Sequence, residues 1–156
     1  MIKTKQNITN INYLFLDHDG VIVMQDTNGD LGKFFDPKCV SILNKIIIET
    51  NCELVVSSDW RNRYTLKNMG IIYEDSGIIK KPISYTPDLW TKNSSVDDLE
   101  FIRSSEISDW LNQRGIFTHW CAVDDMKLLL HNFVLVDPDY GLTNIIKNKV
   151  TPFLLK

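Results

Sequence analysis

The segment Tyr13-Leu14-Phe15-Leu16-Asp17-His18-Asp19-Gly20-Val21 constrains the fold more than any other part of this chain. Four large apolar residues in succession read as a strand buried on both faces, the kind found inside a parallel sheet. Two carboxylates follow where that strand should end, and Gly20 lets the chain turn sharply after them. Ligands of open α/β sheets sit beyond the carboxyl ends of the strands, so chemistry is expected here. A pair of acids at such a place can bind a metal, or divide the roles of nucleophile and general acid/base.

The rest of the chain repeats the pattern. Short, apolar, proline-free strand candidates lie at 12–17, 53–57, 120–124 and 133–137. Helix candidates fall between them. Asp36-Pro37 reads as an N-cap with proline at the first helical position, followed by a stripe of Val40, Leu43, Ile46 and Ile47. A second helix is expected over 60–69 with Gly70 as its stop, a third over 104–114 with Gly115 ending it, and a last over 142–149. Strands alternating with helices predict an α/β fold: a doubly wound, Rossmann-like parallel sheet flanked by helices. After Gly20, Val21–Met24, Asn28-Gly29 and Lys33-Phe34-Phe35 read as a short hairpin flap over the mouth of the first strand. Residues 71–96 show no clear period and are read as irregular, with one extra strand at most. At 156 residues, without repeats or a long linker, 1–156 is expected to be a single domain.

The strand ends coincide in chemistry. The first stops at Asp17, the second at Ser57-Ser58-Asp59, the third at Asp124-Asp125 and the fourth at Asp137. In a parallel sheet these groups converge on one edge, and crowded carboxylates repel unless a cation compensates. Hard oxygen ligands that leave room for water and phosphate favour Mg²⁺. The residues alone therefore predict a metal-dependent site for phosphate.

Composition narrows the setting. Lys and Arg total 17 against 20 Asp and Glu, a formal net charge of −3, so no global field exists for capturing nucleic acid. Cys39, Cys52 and Cys121 are odd in number and lack metal-ligand spacing, as expected of core thiols in a reducing compartment. No apolar run is long enough to span a membrane, and residues 1–12 lack the apolar region of a secretory signal. A cytoplasmic location is the expectation, with no membrane and no obligate protein partner evident.

These residues resemble the haloacid dehalogenase (HAD) superfamily. Asp17-His18-Asp19-Gly20-Val21 after an apolar strand is similar to its first motif, and Leu54-Val55-Val56-Ser57 to its second. Ala122-Val123-Asp124-Asp125 is similar to its fourth, and Arg103, ahead of the predicted third helix, occupies the place of the third-motif base. Ser57-Ser58-Asp59-Trp60-Arg61, Arg103 with Glu106-Ile107 and Trp110-Leu111, and Gly141-Leu142-Thr143 further resemble the small HAD domains of "Swiss Army Knife" RNA-repair proteins. The resemblance runs from Asn12 to about Thr143 in the family's motif order.

What the resemblance implies is a phosphatase. Asp17 would be the nucleophile that forms an aspartyl-phosphate, and Asp19 the acid that protonates the leaving oxygen and then activates water. Mg²⁺ would be held by Asp17, the Asp19 backbone carbonyl and Asp124, with Asp125 either reaching it through water or capping the next turn. Ser57 would hold a phosphoryl oxygen, favoured over Ser58 because it directly follows the apolar run. Arg103 would compensate charge, favoured over Lys81-Pro82, which lies too far before Asp124 for one intervening helix. Dehalogenases lack an acid at the position of Asp19, so its presence argues for phosphoryl transfer.

Other polar residues are read more plainly. Asp137 is expected in a turn or behind the ligands. His18 is expected to be a spacer, with neighbouring negative charge favouring its protonated form. Trp60 and Arg61 either contact substrate or serve packing and surface charge, the remaining tryptophans are core, and His119 and His131 receive no role.

The short stretches between motifs leave no room for a large cap domain, so an open site is expected. Such a site admits a nucleic-acid end, a nucleotide or a small phosphomonoester. A receiver domain is excluded because its paired acids precede the acceptor Asp, and an EF-hand because Gly20 follows the second acid directly. An inactive HAD-like binding module and a phosphotransferase with the same aspartyl chemistry stand as the alternatives.

Overall fold

The computed structural model describes residues 10–25 and 35–155. Five parallel strands form one sheet in the order β3-β2-β1-β4-β5: β1 is Tyr13–Leu16, β2 Glu53–Val56, β3 Ser84–Tyr85, β4 Trp120–Asp124 and β5 Phe133–Leu135. Among the described residues four α-helices flank them: α1 Pro37–Thr50, α2 Leu66–Asp75 and α3 Leu99–Arg114 lie between successive strands, and α4 Asn144–Leu154 follows β5. This is the doubly wound, Rossmann-like architecture that the alternating pattern predicts. Among the described residues no helix is long and apolar enough to cross a membrane.

The central strand is buried because both of its faces are covered, and its residues divide between two cores by the period of two that a strand imposes. Leu14 and Leu16, with Leu54, Val56, Cys121 and Val123 from the neighbouring strands, join a core built with α1, α2 and α4. Phe15, Val55 and Ala122 turn the other way, into a core built with α3. There Phe15 meets Trp110 and Trp120 edge-on, with ring centroids 5.3 and 5.9 Å apart. The three cysteines are buried free thiols, as expected.

Register then decides what happens one residue further on. Leu16 pairs with Val56 on one side and Val123 on the other, so Asp17, Ser57 and Asp124 emerge side by side. The Asp17 N–H donates to the Val123 carbonyl at 3.2 Å and the Ser57 N–H to the Leu16 carbonyl at 2.9 Å. Beyond Asp17 the chain folds back at once. The His18 carbonyl accepts the N–H groups of Val21, Ile22 and Val23 at 3.1, 2.9 and 2.9 Å, while Gly20 sits at φ +80°. Of the expected hairpin flap, residues 26–34 lie outside the described residues.

Local chemistry places most helix ends. Asp36 accepts from the N–H groups of Lys38 and Cys39 at 2.9 and 3.1 Å, and α1 begins at Pro37. Elsewhere the expected boundaries need correction. The segment after β2 first makes a single 3₁₀ turn, Asp59–Asn62, and α2 starts only at Leu66, behind the Thr65 cap. Gly70 does not end that helix. It lies buried inside it, where the Lys81 side chain covers it so closely that a Cβ would stand 3.2 Å from Lys81 Cδ.

The third helix starts earlier than its apolar face suggests, at Leu99, after a 3₁₀ turn in which the Asp98 carboxylate accepts from the Ser95 N–H. Arg103 therefore stands inside α3 rather than ahead of it. The last helix starts at Asn144 behind Thr143 and runs through Pro152 to Leu154. β1, β2 and β5 are each shorter than expected, β4 has the expected bounds, and the extra strand of the irregular region is the two-residue β3.

Candidate active site

At the carboxyl edge of the sheet Asp17, Ser57 and Asp124 occupy the face that α3 covers, following the alternation of Phe15, Val55 and Ala122. Arg103 reaches them from the second turn of α3. Its Nη1 donates to Asp124 Oδ2 at 3.1 Å and lies 3.3 Å from Asp17 Oδ1, and its Nη2 lies 3.7 Å from Asp59 Oδ1. Carboxylate oxygens of Asp17, Asp124 and Asp125 all fall within 4.8 Å of one another. Gly20 is required beside them: a Cβ there would press into the Asp125 carboxylate, 2.9 Å from its Cγ.

One guanidinium serves two buried acids, and the balance is unfavourable to the acids. Burial pushes the Asp17 carboxyl well above its ordinary range, the Asp124 charge adds to this, and Arg103 only partly offsets it. Asp124 is raised to about 6, again chiefly by burial and against the pull of Arg103. Burial works against the charge of Arg103, but Asp17 and Asp124 outweigh it and hold the guanidinium protonated. An oxygen-rich cluster of this kind, short of positive charge, fits a hard divalent cation, and Asp17, Asp124 and Asp125 are the side chains that could hold it.

The Ser57 hydroxyl is buried and has no hydrogen-bond partner among the described residues. Ser58 is committed elsewhere, because its hydroxyl accepts the Trp60 N–H at 3.3 Å and caps the 3₁₀ turn. Of the two adjacent serines, only Ser57 has a free hydroxyl at the carboxylate edge. Lys81 is absent from the cluster: it pairs with Glu74 at 3.2 Å, both side chains exposed. Asp137 is exposed and accepts the Asp139 N–H at 2.9 Å, the turn role expected of it.

Asp19 is half-buried beside the cluster, and the Trp60 indole N–H donates to its Oδ1 at 3.0 Å. That bond was not foreseen. The only signal for it in the sequence is an indole placed three residues beyond Ser57, one turn past the end of β2. Arg61 also turns inward: its Nη2 donates to Glu106 Oε2 at 2.6 Å and its Nη1 to Thr86 Oγ1 at 3.2 Å. Glu106 is one helical turn after Arg103 on α3, a spacing that brings the two to one face.

His18 corrects an expectation. It follows Asp17, so it faces the opposite core, where its Nε2 lies 2.6 Å from the Tyr73 hydroxyl and its ring packs on Phe35 and Trp60. Burial lowers its pKa to about 3, so it is neutral; exclusion of water overrides the neighbouring carboxylates. Trp90 is a second correction, because it is 44% exposed rather than core.

Residues 13–145 match the family of HAD domains in Swiss Army Knife RNA repair proteins. The chain belongs to that family. No curated protein and no solved structure matches it. The residues that the resemblance assigns lie within the matched span, and the parallel sheet brings Asp17, Ser57 and Asp124 to one edge, where Arg103 reaches them from α3. The family places the chain among HAD-type hydrolases in general.

Proposed function

We propose that this HAD domain is a Mg²⁺-dependent phosphatase that cleaves a phosphomonoester through an aspartyl-phosphate on Asp17. The observation that carries the reading is the grouping of Asp17 with Arg103, 3.3 Å away, and with the unpaired Ser57 hydroxyl on the adjacent strand. An anionic phosphoryl group needs a cationic partner and hydrogen-bond donors at the point of attack, and these side chains supply both.

In the first step an Asp17 carboxylate oxygen bonds to phosphorus while the bond from phosphorus to the leaving oxygen breaks. Asp19 gives its proton to that oxygen, so the product departs as an alcohol. In the second step water attacks phosphorus, Asp19 takes a proton from it, and the bond to Asp17 breaks to release phosphate. Ser57 donates to a phosphoryl oxygen, and Arg103 holds charge that Asp17 and Asp124 alone would repel. Asp17, Asp124, Asp125 and the Asp19 carbonyl would hold Mg²⁺, which would supply screening between the anionic nucleophile and the anionic substrate.

The open edge of the sheet, without a cap domain among the described residues, supports a substrate larger than the phosphoryl group itself. The family's occurrence in RNA repair proteins supports a nucleic-acid end or a nucleotide. The test is phosphate release from p-nitrophenyl phosphate with Mg²⁺ and with EDTA, comparing wild type with Asp17→Asn. Release by wild type that is lost with EDTA and in the variant is the expected result. Equal release by both proteins would remove Asp17 from the chemistry.

A further inference from the structure

A cavity of about 310 Å³ opens at the same edge of the sheet, between the turn after β2, the loop after β3 and the first turns of α3. Arg103 belongs to its wall and its Nη1 is 3.3 Å from Asp17, so one guanidinium separates the cavity from the proposed nucleophile. It stands at the lower end of the range for small-molecule sites, about 300–1,000 Å³, which suits one nucleoside-sized body and not two.

Its electrostatics exclude a second phosphate. The cations of the lining are Arg61 and Arg103, and both are committed. Arg61 is paired with Glu106 at 2.6 Å and lies 3.7 Å from Asp88, while Arg103 spans Asp17 and Asp124. The exposed carboxylates of Asp59 and Asp88, each 3.7 Å from one of these guanidiniums, are the charged groups that face outward. An anion entering here would meet like charge, whereas hydroxyl and amine donors would find acceptors.

The remaining walls are largely apolar. Half-exposed Trp90 offers a flat aromatic face, and partly buried Leu99 and Ile102 add aliphatic surface. The Arg61 side chain is only 5% exposed, yet its Nε is buried without a hydrogen-bond partner among the described residues. That nitrogen is closed to solvent, so it lies behind the wall and the Arg61 guanidinium is held in place by Glu106 and Thr86.

We infer that this cavity seats the leaving group of the reaction and that its occupant is an uncharged nucleoside, the ester's phosphate lying at Asp17. The inference rests on the phosphatase reading above. A nucleoside has the required parts: a planar ring to stack on Trp90, and sugar hydroxyls and exocyclic amines for Asp59 and Asp88. The neighbouring phosphodiester of a nucleic-acid end would leave through the open side.

The experiment compares kcat/KM for adenosine 3′- and 5′-monophosphate with that for glycerol 2-phosphate, in wild type and in Trp90→Ala. Calorimetric binding of the same ligands to Asp17→Asn proteins with and without the Trp90 change runs beside it. Wild type should prefer a nucleotide, and Trp90→Ala should cut that preference about tenfold, as base–aromatic stacking predicts. The binding arm should show the same loss of preference. No preference in wild type, or an equal loss on both substrate classes in the variant, overturns the inference while leaving the phosphatase intact.

Absent turnover of every substrate overturns the phosphatase reading instead, and the leaving-group assignment falls with it. An oligonucleotide with the same terminal phosphate separates two sources of the nucleoside. Comparable turnover assigns it to a chain end, and turnover of the mononucleotide alone assigns it to a free nucleotide. Either result upholds the seat.

Discussion

If Asp17, Asp124 and Asp125 hold a divalent cation, its stabilising effect must shrink as the acids take up protons. Asp124 is raised to about 6 and Asp17 is raised as well, so near pH 5 a cation must displace at least one proton that is absent near pH 7.5. With Asp124 alone counted, the protonated fraction at about pH 5 lowers apparent affinity roughly tenfold. A cation at about one hundred times its dissociation constant stabilises by about 2.7 kcal/mol, and at ten times by about 1.4 kcal/mol. For a domain of this length about 2–4 °C accompanies each kcal/mol, so the gain in Tm should fall from about 5–11 °C to about 3–6 °C. Asp17 makes the fall steeper. The assay is thermal unfolding in millimolar MgCl₂ against EDTA across that pH range, read as the difference at each pH so that other titrations cancel. A gain that is the same at both ends of the range, or is unchanged in Asp124→Asn, would refute the reasoning.

His18 and Asp124 pull the metal-free protein in opposite directions. The neutral histidine, lowered from 6.5 to about 3, contributes stability that is full above pH 6.5 and is lost as pH falls toward 3. Asp124, raised from 3.8 to about 6, contributes stability that is full below pH 3.8 and is lost as pH rises through 6. In EDTA the two nearly cancel between about pH 4 and 6, and His18→Leu should unmask rising stability toward acid in chemical denaturation; a variant losing stability there contradicts the assignment. Trp60→Phe removes the donor to Asp19 and should lower kcat/KM for alkyl phosphates about tenfold, the size of a lost bond to a charged group. The fall for p-nitrophenyl phosphate, whose leaving group needs no proton, should be smaller, and equal falls would mean that Trp60 serves packing alone.

The sheet and the edge where acids gather are legible in the sequence because both follow from local pattern. Apolar runs ending in Asp17, Ser57 and Asp124 need only parallel pairing to converge, and the register supplies it. Gly70 misled because glycine marks a helix stop by its backbone freedom, whereas here it makes room for Lys81, a contact fixed by tertiary packing. The Arg61–Glu106 pair joins residues 45 positions apart, and no spacing rule announces it. His18 departs from its expected charge for a related reason: its neighbours in sequence are charged, but its neighbours in space are Phe35, Trp60 and Tyr73.

The alternation of β1 has a consequence for how this protein can vary. Tyr13 and Phe15 lean toward α3, Leu14 and Leu16 toward α1, and the same two-residue rhythm delivers Asp17 to Arg103 and His18 to the aromatic rings. A deletion of one residue within Tyr13–Leu16 would exchange those destinations, setting an imidazole before the guanidinium and sealing a carboxylate among rings. Substitutions in that strand can be absorbed by repacking, but its length cannot drift. Lineages carrying this domain are therefore free to edit the chemistry of β1 and barred from editing its count.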